Sequence, residues 1–286
     1  MDTQRAIVTR LLAQPASLAE LSDATGTSLP TVRRAVHDLE RGRWVRVVGR
    51  ADGTGGRPAN RYGIDASTHT VIGVHLAHPG MRLVATDLAG AVLDGVVLTS
   101  GKHLRPETVY ADVLAFRDRV RSAMPERHLL GLGVATPGYV DPDNGAILTI
   151  GRVPNWDALP LRDRLHEATC LPVTVVNDVD ALATAEFAPV EIERTAAYVG
   201  FQEGVKFSIF LDGAPYLGPF GNAGLVAPAL APGIDDPDAA DLLTAHGLAR
   251  LHDRIARSNG AAPLAPARPD HDTVRELLRA AGAGRA

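Results

Sequence analysis

The sequence predicts a two-part α/β protein, in which a small basic head precedes a larger acidic body. Residues 1–62 contain ten arginines and six acidic residues, for a net charge of +4, whereas the remaining residues carry a net charge of −8. The hydrophobic spacing of the head is that of short helices followed by two strands, and after residue 65 strands alternate with helices. A length of 286 residues is typical of two domains.

Composition excludes several classes of protein. Hydrophobic residues make up 45% and charged residues 22% of the chain, which is typical of globular proteins rather than disordered ones. Apolar stretches are short, so no segment is predicted to span or enter a membrane, and the first residues lack the apolar core of a signal peptide. The single cysteine, Cys170, cannot form an internal disulfide. We therefore predict a cytoplasmic protein without a cofactor or a metal site.

Three helices are predicted before residue 42. The first follows from apolar residues at helical spacing between Ile7 and Leu12. Ser17 and Glu20 form a capping box that begins the second helix, and Gly26 ends it. Thr27 or Ser28 is expected to cap the third. The side chains predicted to face inward from the second and third helices are Leu18, Leu21, Ala24, Leu29, Val32, Val36 and Leu39.

The outer face of the third helix is polar and cationic, which is the layout of a helix-turn-helix. Two predicted strands, Trp44–Val48 and Arg61–Ile64, then flank a glycine-rich loop, so residues 1–64 are predicted to form a winged helix-turn-helix DNA-binding domain. Arg57, between Gly56 and Pro58, suits a narrow minor groove. The alternative is a helical protein-interaction domain with a solvated arginine face. The candidate DNA-binding residues are Ser28, Thr31, Arg33, Arg34, His37, Arg50, Arg57 and Arg61.

Residues 65–286 are predicted to form one α/β body. Three consecutive strands are followed by helix, strand, helix and strand, the order of one actin-like (ribonuclease H-like) lobe. These strands are Val71–Leu76, Met81–Leu88, Ala91–Leu98, Leu129–Val134, Ala146–Ile150 and Val173–Val176. The first helix has Val109, Val113, Phe116 and Val120 spaced along one face, and the other two helices are Leu161–Ala168 and Val179–Phe187. A second lobe is predicted to begin with strands at Thr195–Gly200, Lys206–Leu211 and Ala214–Leu217.

Six short segments of the chain resemble family motifs: Gly56-Arg57-Pro58 in the wing, Gly133–Asp141, Pro154-Asn155-Trp156, Leu171-Pro172-Val173, Asn177-Asp178 and Ala181–Glu186. Through these segments, and over nearly its whole length, the chain resembles the ROK family of repressors and sugar kinases. The resemblance implies a winged head on a sugar-kinase-like body, with DNA, a sugar or sugar-derivative effector and a second copy of the chain as partners. It also implies the ligand-binding residues Pro137, Gly138, Asn155, Asn177 and Asp178.

The chain departs from the kinases of this family in both phosphate-binding turns. Where the kinases have an Asp-x-Gly-Gly-Thr turn, this chain has His75-Leu76-Ala77-His78-Pro79. Where they have a second, glycine-rich phosphate loop, this chain has residues 202–208, in which Glu203 would repel phosphate. The zinc ligands and two sugar ligands of the family are also missing, with Leu225 and Pro228 at the latter positions. The chain ends near a predicted helix, Asp272–Ala281, where the resemblance implies further elements, so the second lobe is expected to be incomplete.

Asn177 and Asp178 allow three interpretations: capping of the following helix, contact with a sugar, and catalysis with Asp178 as general base. With the phosphate turns altered, no catalytic residue is predicted. The function predicted from the sequence is a non-enzymatic transcriptional regulator, a repressor with a sugar-sensing body. The alternatives are a sugar kinase and a ligand-independent DNA-binding or assembly protein.

Overall fold

A computed structural model of the chain describes residues 3–50, 59–77, 80–99, 105–149, 156–188, 195–201, 205–221, 223–224 and 257–258. The chain forms two compact units, residues 1–191 and 192–286. The first unit contains the head and one α/β lobe, and each of these has its own hydrophobic core. We retain the domain boundary between residues 64 and 65 as a proposal, which these two cores support.

The head is a winged helix-turn-helix, as predicted. Its helices are α1 (Thr3–Ala13), α2 (Leu18–Thr25) and α3 (Leu29–Arg41), and its strands are β1 (Ala16–Ser17), β2 (Val45–Arg50) and β3 (Asn60–Ile64). The strands form an antiparallel sheet in the order β1-β3-β2. The two-residue strand β1 is too short to be recognised from a sequence pattern. Helices and sheet bury one shared core, whose members include Ile7, Leu21, Val32 and Val45.

Two of the predicted core positions in the head are wrong. Leu29 is 39% exposed and Ala24 is exposed, whereas Ala35, which was not predicted, is buried. Leu29 is the first residue of α3 and lies at the margin of the buried stripe, while Ala24 lies in the last turn of a helix of only eight residues. The buried stripe of α3 has i, i+3, i+4 and i+7 spacing. It consists of Val32, Ala35, Val36 and Leu39.

The lobe that follows has the ribonuclease H-like order expected from the sequence. Its strands are β4 (His69–Ala77), β5 (Gly80–Thr86), β6 (Val92–Leu98), β7 (His128–Thr136), β8 (Tyr139–Val140), β9 (Ile147–Thr149) and β10 (Val173–Asn177). Its helices are α4 (Pro106–Ala123), α5 (Leu161–Thr169) and α6 (Asp178–Phe187). The main sheet has the order β10-β7-β4-β5-β6, with β10, β7 and β4 parallel and β4, β5 and β6 antiparallel.

The core of this lobe lies between the sheet and the helices α4 and α5. Alternate residues of β4, such as Ile72 and Val74, are buried there with Phe116 of α4 and Leu165 of α5. Trp156 is fully buried in the same core. Because the parallel strands β4, β7 and β10 are neighbours, their carboxyl ends meet at one edge of the sheet, where α6 begins.

In the second unit, the described residues form an antiparallel sheet in the order β11-β12-β13, with strands β11 (Thr195–Phe201), β12 (Val205–Leu211) and β13 (Ala214–Pro215). Asp212 and Gly213 join the last two strands with positive φ angles of 50° and 77°, as a tight hairpin requires. Residues 225–256 and 259–286 lie outside the described residues, so the incomplete second lobe and the helix Asp272–Ala281 stay predictions. No helix in the described part of the chain is long and apolar enough to cross a membrane.

Candidate nucleic-acid interface and ligand site

The surface of α3 opposite its buried stripe carries more arginine than acidic side chains, and the exposed carboxylate of Asp38 lies on it, 4.0 Å from His37 Nδ1. Arg34 lies midway between the buried residues Val32 and Val36, so its side chain points away from the core. His37 and Arg41 follow Arg34 at i+3 and i+7 and therefore share its face, and all three side chains are exposed. Arg41 is not among the residues predicted from the sequence to contact DNA. The spacing that identified Arg34 and His37 also points to it, one turn further along the helix.

Two hydroxyl groups stand at the start of α3. Ser28 occupies the N-cap position, but its side chain makes no hydrogen bond to the helix backbone. Its Oγ lies instead 3.0 Å from Oγ1 of the exposed Thr31, while Thr27 Oγ1 donates to the carbonyl of Thr25. The expected side-chain cap by Thr27 or Ser28 is therefore wrong, because both hydroxyls have other partners. Ser28 and Thr31, with the exposed Arg33, face solvent where a recognition helix meets DNA.

Helix α2 is fixed by hydrogen bonds at both of its ends, and those at its C-terminal end hold the turn to α3. The predicted capping box is present: the amide of Ser17 donates to Glu20 Oε2 at 2.6 Å, and the amide of Glu20 donates to Ser17 Oγ at 3.3 Å. The hydrogen bonds of Glu20 with the backbone and the side chain of Ser17 hold the pKa of the Glu20 carboxyl below its ordinary value. At the other end, Gly26 takes the left-handed conformation, and Ser22 Oγ donates to the carbonyl of Thr27 at 2.6 Å.

The arginines of the hairpin divide into two groups. Arg50, at the end of β2, is exposed, whereas Arg57 lies outside the described residues. Arg61, on β3, has partners inside the head. Its Nη1 lies 3.5 Å from Glu20 Oε1, and its Nη2 donates to the carbonyl of Pro15. Arg61 therefore ties the wing to the beginning of α2, a contact between residues 41 positions apart in the chain.

Four of the five predicted ligand residues meet at the carboxyl edge of the lobe's sheet. Asn177 ends β10 beside Thr136 of β7, which leads into Pro137-Gly138. Asn177 Nδ2 donates to the carbonyl of Gly138 at 2.7 Å, and its Oδ1 accepts from the amide of Val179 at 2.9 Å. Asn177 is thus the N-cap of α6 and also fixes the Pro-Gly loop. Asn155 lies outside the described residues.

Asp178 is the first residue of α6 and is only 4% exposed. Its carboxylate and that of Asp180 lie in the first turn of the helix, where the helix dipole favours negative charge. The capping interpretation of the Asn-Asp pair is therefore supported for Asn177. Asp178 lies at the carboxyl edge of the sheet, which is the usual place for ligands in α/β folds.

The end of β4 lies at this edge, at the position of the first phosphate turn of the kinases. His75 pairs with Ala135 of β7 on one side and with Arg82 of β5 on the other. His78 and Pro79, and Gln202–Gly204 of the second turn, lie outside the described residues. The residues described here bring a histidine and an arginine together, not the carboxylate that would hold a metal–nucleotide complex. Within the described residues, no three His, Cys, Asp or Glu side chains form a metal-binding group.

Two regions of the chain match family models. Residues 79–226 match the ROK family, and residues 10–49 match the IclR helix-turn-helix domain. The second match ends with β2 and contains the whole of α2 and α3. It therefore supports the helix-turn-helix interpretation of the head independently of its charge.

Curated relatives and a solved structure agree with these matches. The chain is 25% identical over 217 residues to the xylose repressor of Bacillus subtilis (strain 168), covering 73% of this chain and 55% of that protein. It is 29% identical over 221 residues to a transcriptional regulator of Mycobacterium bovis, covering 73% and 48%. The chain therefore spans about half the length of these relatives. The crystal structure of a ROK family transcriptional regulator, a homologue of the E. coli MLC protein, has the same fold, with a TM-score of 0.70 at 18% identity, covering 97% of this chain and 74% of that one.

Proposed function

The chain belongs to the ROK family, and we propose that it is a DNA-binding transcriptional repressor with a non-catalytic, sugar-binding body. The observation that carries the proposal is the exposed cationic face of α3, which lies opposite the stripe that packs into the head. A recognition helix needs this arrangement, because one side must be fixed by the core while the other enters the major groove. The names of the relatives, a xylose repressor and a transcriptional regulator, support the same function.

We propose two kinds of DNA contact for the head. Thr31 and Arg34 lie three residues apart in the first turns of α3 and contact base edges in the major groove. Ser28, Arg33, His37 and Arg50 contact the phosphate backbone, which fixes the position of the head but reads no sequence. Arg57 enters the minor groove. Arg61 acts indirectly, by holding β3 against the start of α2.

We propose that the body binds a sugar or a sugar derivative at the carboxyl edge of its sheet. Pro137, Gly138, Asn155, Asn177 and Asp178 form this site, and the hydrogen bond from Asn177 to Gly138 keeps two of its segments together. The name of the Bacillus subtilis relative supports a sugar effector. We also propose that the protein acts in the cytoplasm, because a repressor binds the chromosome. Two copies of the chain would bind the two halves of a symmetric operator.

The experiment that tests the proposed function is a binding-site selection from random DNA with the full chain, followed by affinity measurements over a range of salt concentrations. We expect the logarithm of the affinity to fall linearly with the logarithm of salt, with a slope of about −0.9 for each phosphate neutralised. Replacing Arg33 by Ala removes one contact and makes the slope shallower by about one such unit. Replacing Arg121, an exposed arginine of α4, is the matched control and leaves the slope unchanged. A selection that enriches no sequence, or a flat salt response, contradicts the proposal.

A further inference from the structure

The head and the lobe are joined by an aromatic stack. The indole of Trp44 lies on the imidazole of His69, with ring centroids 4.2 Å apart and ring planes inclined by 18°. Trp44 belongs to the head and follows α3 after two residues, and His69 is the first residue of β4, the central strand of the lobe's sheet. The stack therefore connects the end of the recognition helix to the centre of the lobe.

On the side of the head, Trp44 is fixed to the last turn of α3. Its amide donates to the carbonyl of Leu39 at 2.9 Å. A side chain placed on Gly42 would come within 2.9 Å of the indole, so the ring packs closely against the end of the helix. A displacement of Trp44 would therefore move the C-terminal end of α3.

On the side of the lobe, residues 65–68, which lead from β3 of the head to β4, are held by hydrogen bonds at both ends. The amide of Asp65 donates to the carbonyl of Trp44 at 2.9 Å, and the Asp65 carboxylate accepts from Ser67 Oγ at 2.6 Å. Arg127 Nη1 donates to the carbonyls of Ala66 and His69, at 2.9 and 3.2 Å. The connection is short and tied by hydrogen bonds, unlike a flexible linker.

The surroundings of His69 favour a neutral ring. The residue is 4% exposed, and its Nδ1 is buried without a hydrogen-bond partner among the described residues. The ring of His128, at the start of β7, lies 5.8 Å away. Burial, together with His128 and the Arg43 guanidinium, holds the pKa of His69 below its ordinary value, and the Asp65 carboxylate opposes this only in part.

We propose that the Trp44–His69 stack is the contact through which the lobe positions the recognition helix, and that protonation of His69 releases this contact. A positive charge on the ring would be buried, and it would face His128 and Arg43. Two described groups favour the charged ring, the indole face of Trp44 and the Asp65 carboxylate, and the carboxylate already accepts the hydrogen bonds from Ser67. The stacked arrangement therefore loses stability as the pH falls from the ordinary histidine value of 6.5 through the lower value of the stacked ring.

Tryptophan fluorescence tests this proposal without DNA. The chain has two tryptophans, Trp44 and the fully buried Trp156. On acidification of the full chain from neutral pH, we expect the Trp44 emission to change with a midpoint below 6.5. The change is expected to persist in Trp156→Phe and to disappear in Trp44→Phe and in His69→Phe, which keeps an aromatic ring but cannot be protonated.

Two further variants identify the titrating group. His128→Gln removes the neighbouring imidazole that lowers the pKa of His69, and it is expected to move the midpoint upward, towards 6.5. His166→Gln removes an exposed histidine of α5, far from both rings in the chain, and is the matched control, which leaves the midpoint unchanged. An emission of Trp44 that does not depend on pH, or a midpoint shifted by His166→Gln and not by His128→Gln, would overturn the proposal.

The consequence for DNA binding rests on the proposed function. Between the pH limits of the fluorescence transition, we expect the affinity for a selected site to fall by about fivefold or more, the lower end of coupling between sites. In His69→Phe we expect no such fall in affinity between the same pH limits. If His69→Phe shows the same fall as the unaltered chain, the coupling is wrong although the stack titrates. If the chain binds no DNA at any pH, the proposed function fails while the fluorescence experiment still decides the role of the stack.

Discussion

Arg34 is the residue from which we expect the largest effect on sequence recognition. It is exposed, it points away from the core of the head, and its guanidinium can pair with both acceptors of a guanine. Arg34→Ala is expected to cost about 1–3 kcal/mol of discrimination at one position in each half-site. Arg33→Ala, the neighbouring phosphate contact, is expected to weaken binding to all sequences equally. Selections with both variants check this, and equal loss of affinity across all sequences for Arg34→Ala would mean that it contacts only phosphate.

Asn177 is expected to matter for stability because its side-chain amide makes two hydrogen bonds, one to the buried Val179 and one to the half-buried Gly138. Asn177→Ala removes the cap of α6 and the hydrogen bond to Gly138, for an expected loss of about 1–3 kcal/mol in the free energy of unfolding. Asn177→Asp retains the acceptor for Val179 but replaces the donor with a buried oxygen that faces the Gly138 carbonyl, so its loss combines the missing Gly138 bond with the repulsion between these oxygens. Urea unfolding measures both losses. Equal stability of the alanine variant and the unaltered chain would show that neither bond contributes.

At the scale of the element, α2 depends on its capping box. Ser17→Ala is expected to destabilise the helix by about 1 kcal/mol, because the amide of Glu20 loses its acceptor. Amide hydrogen exchange of α2 in the full chain should then be faster by about fivefold, and exchange of α4 should be unchanged. Unaltered exchange in α2 would contradict the role assigned to the box.

The same element should show a dependence on acid. The pKa of Glu20 is lower in the folded chain than its ordinary value of 4.5, so its carboxylate contributes stability above that value and loses it as the pH falls through the folded pKa. Glu20→Gln keeps an acceptor for the amide of Ser17 but carries no charge. We expect the difference in α2 exchange between the two proteins to shrink on acidification below 4.5. A constant difference would mean that the charge of Glu20 contributes nothing.

At the scale of the whole molecule, we expect no ATP-dependent phosphorylation of sugars. Phosphoryl transfer depends on positioned phosphate ligands, and the first phosphate turn has His75 and Ala77 at positions where the kinases have a carboxylate and a glycine. Glucose, N-acetylglucosamine and N-acetylmannosamine are the substrates to test, with an active sugar kinase as the positive control. Turnover that disappears in Asp178→Ala would show that the body is a kinase and that Asp178 is its base.

Local sequence patterns were sufficient for the order of elements and for much of the candidate site. The capping box at Ser17 and Glu20 and the outward face of Arg34 follow from spacing within a single helix, which depends on interactions between residues three or four positions apart. Alternation along β4 likewise follows from the pleat of one strand. Leu29 was mispredicted as a core residue because helical spacing cannot show where along a helix the packing contacts begin.

By itself, the sequence determined the order of elements in the winged head and in the ribonuclease H-like lobe, and it supplied the candidate ligand residues at the carboxyl edge of that lobe's sheet. Only the tertiary structure decided which residues from distant parts of the chain are in contact. It joined Arg61 to Glu20, Asn177 to Gly138 and Trp44 to His69. The members of the first two pairs are 41 and 39 positions apart. Such contacts depend on how separate elements pack, because each hydrogen bond or ring stack forms only when the hydrophobic cores have fixed the distances between those elements.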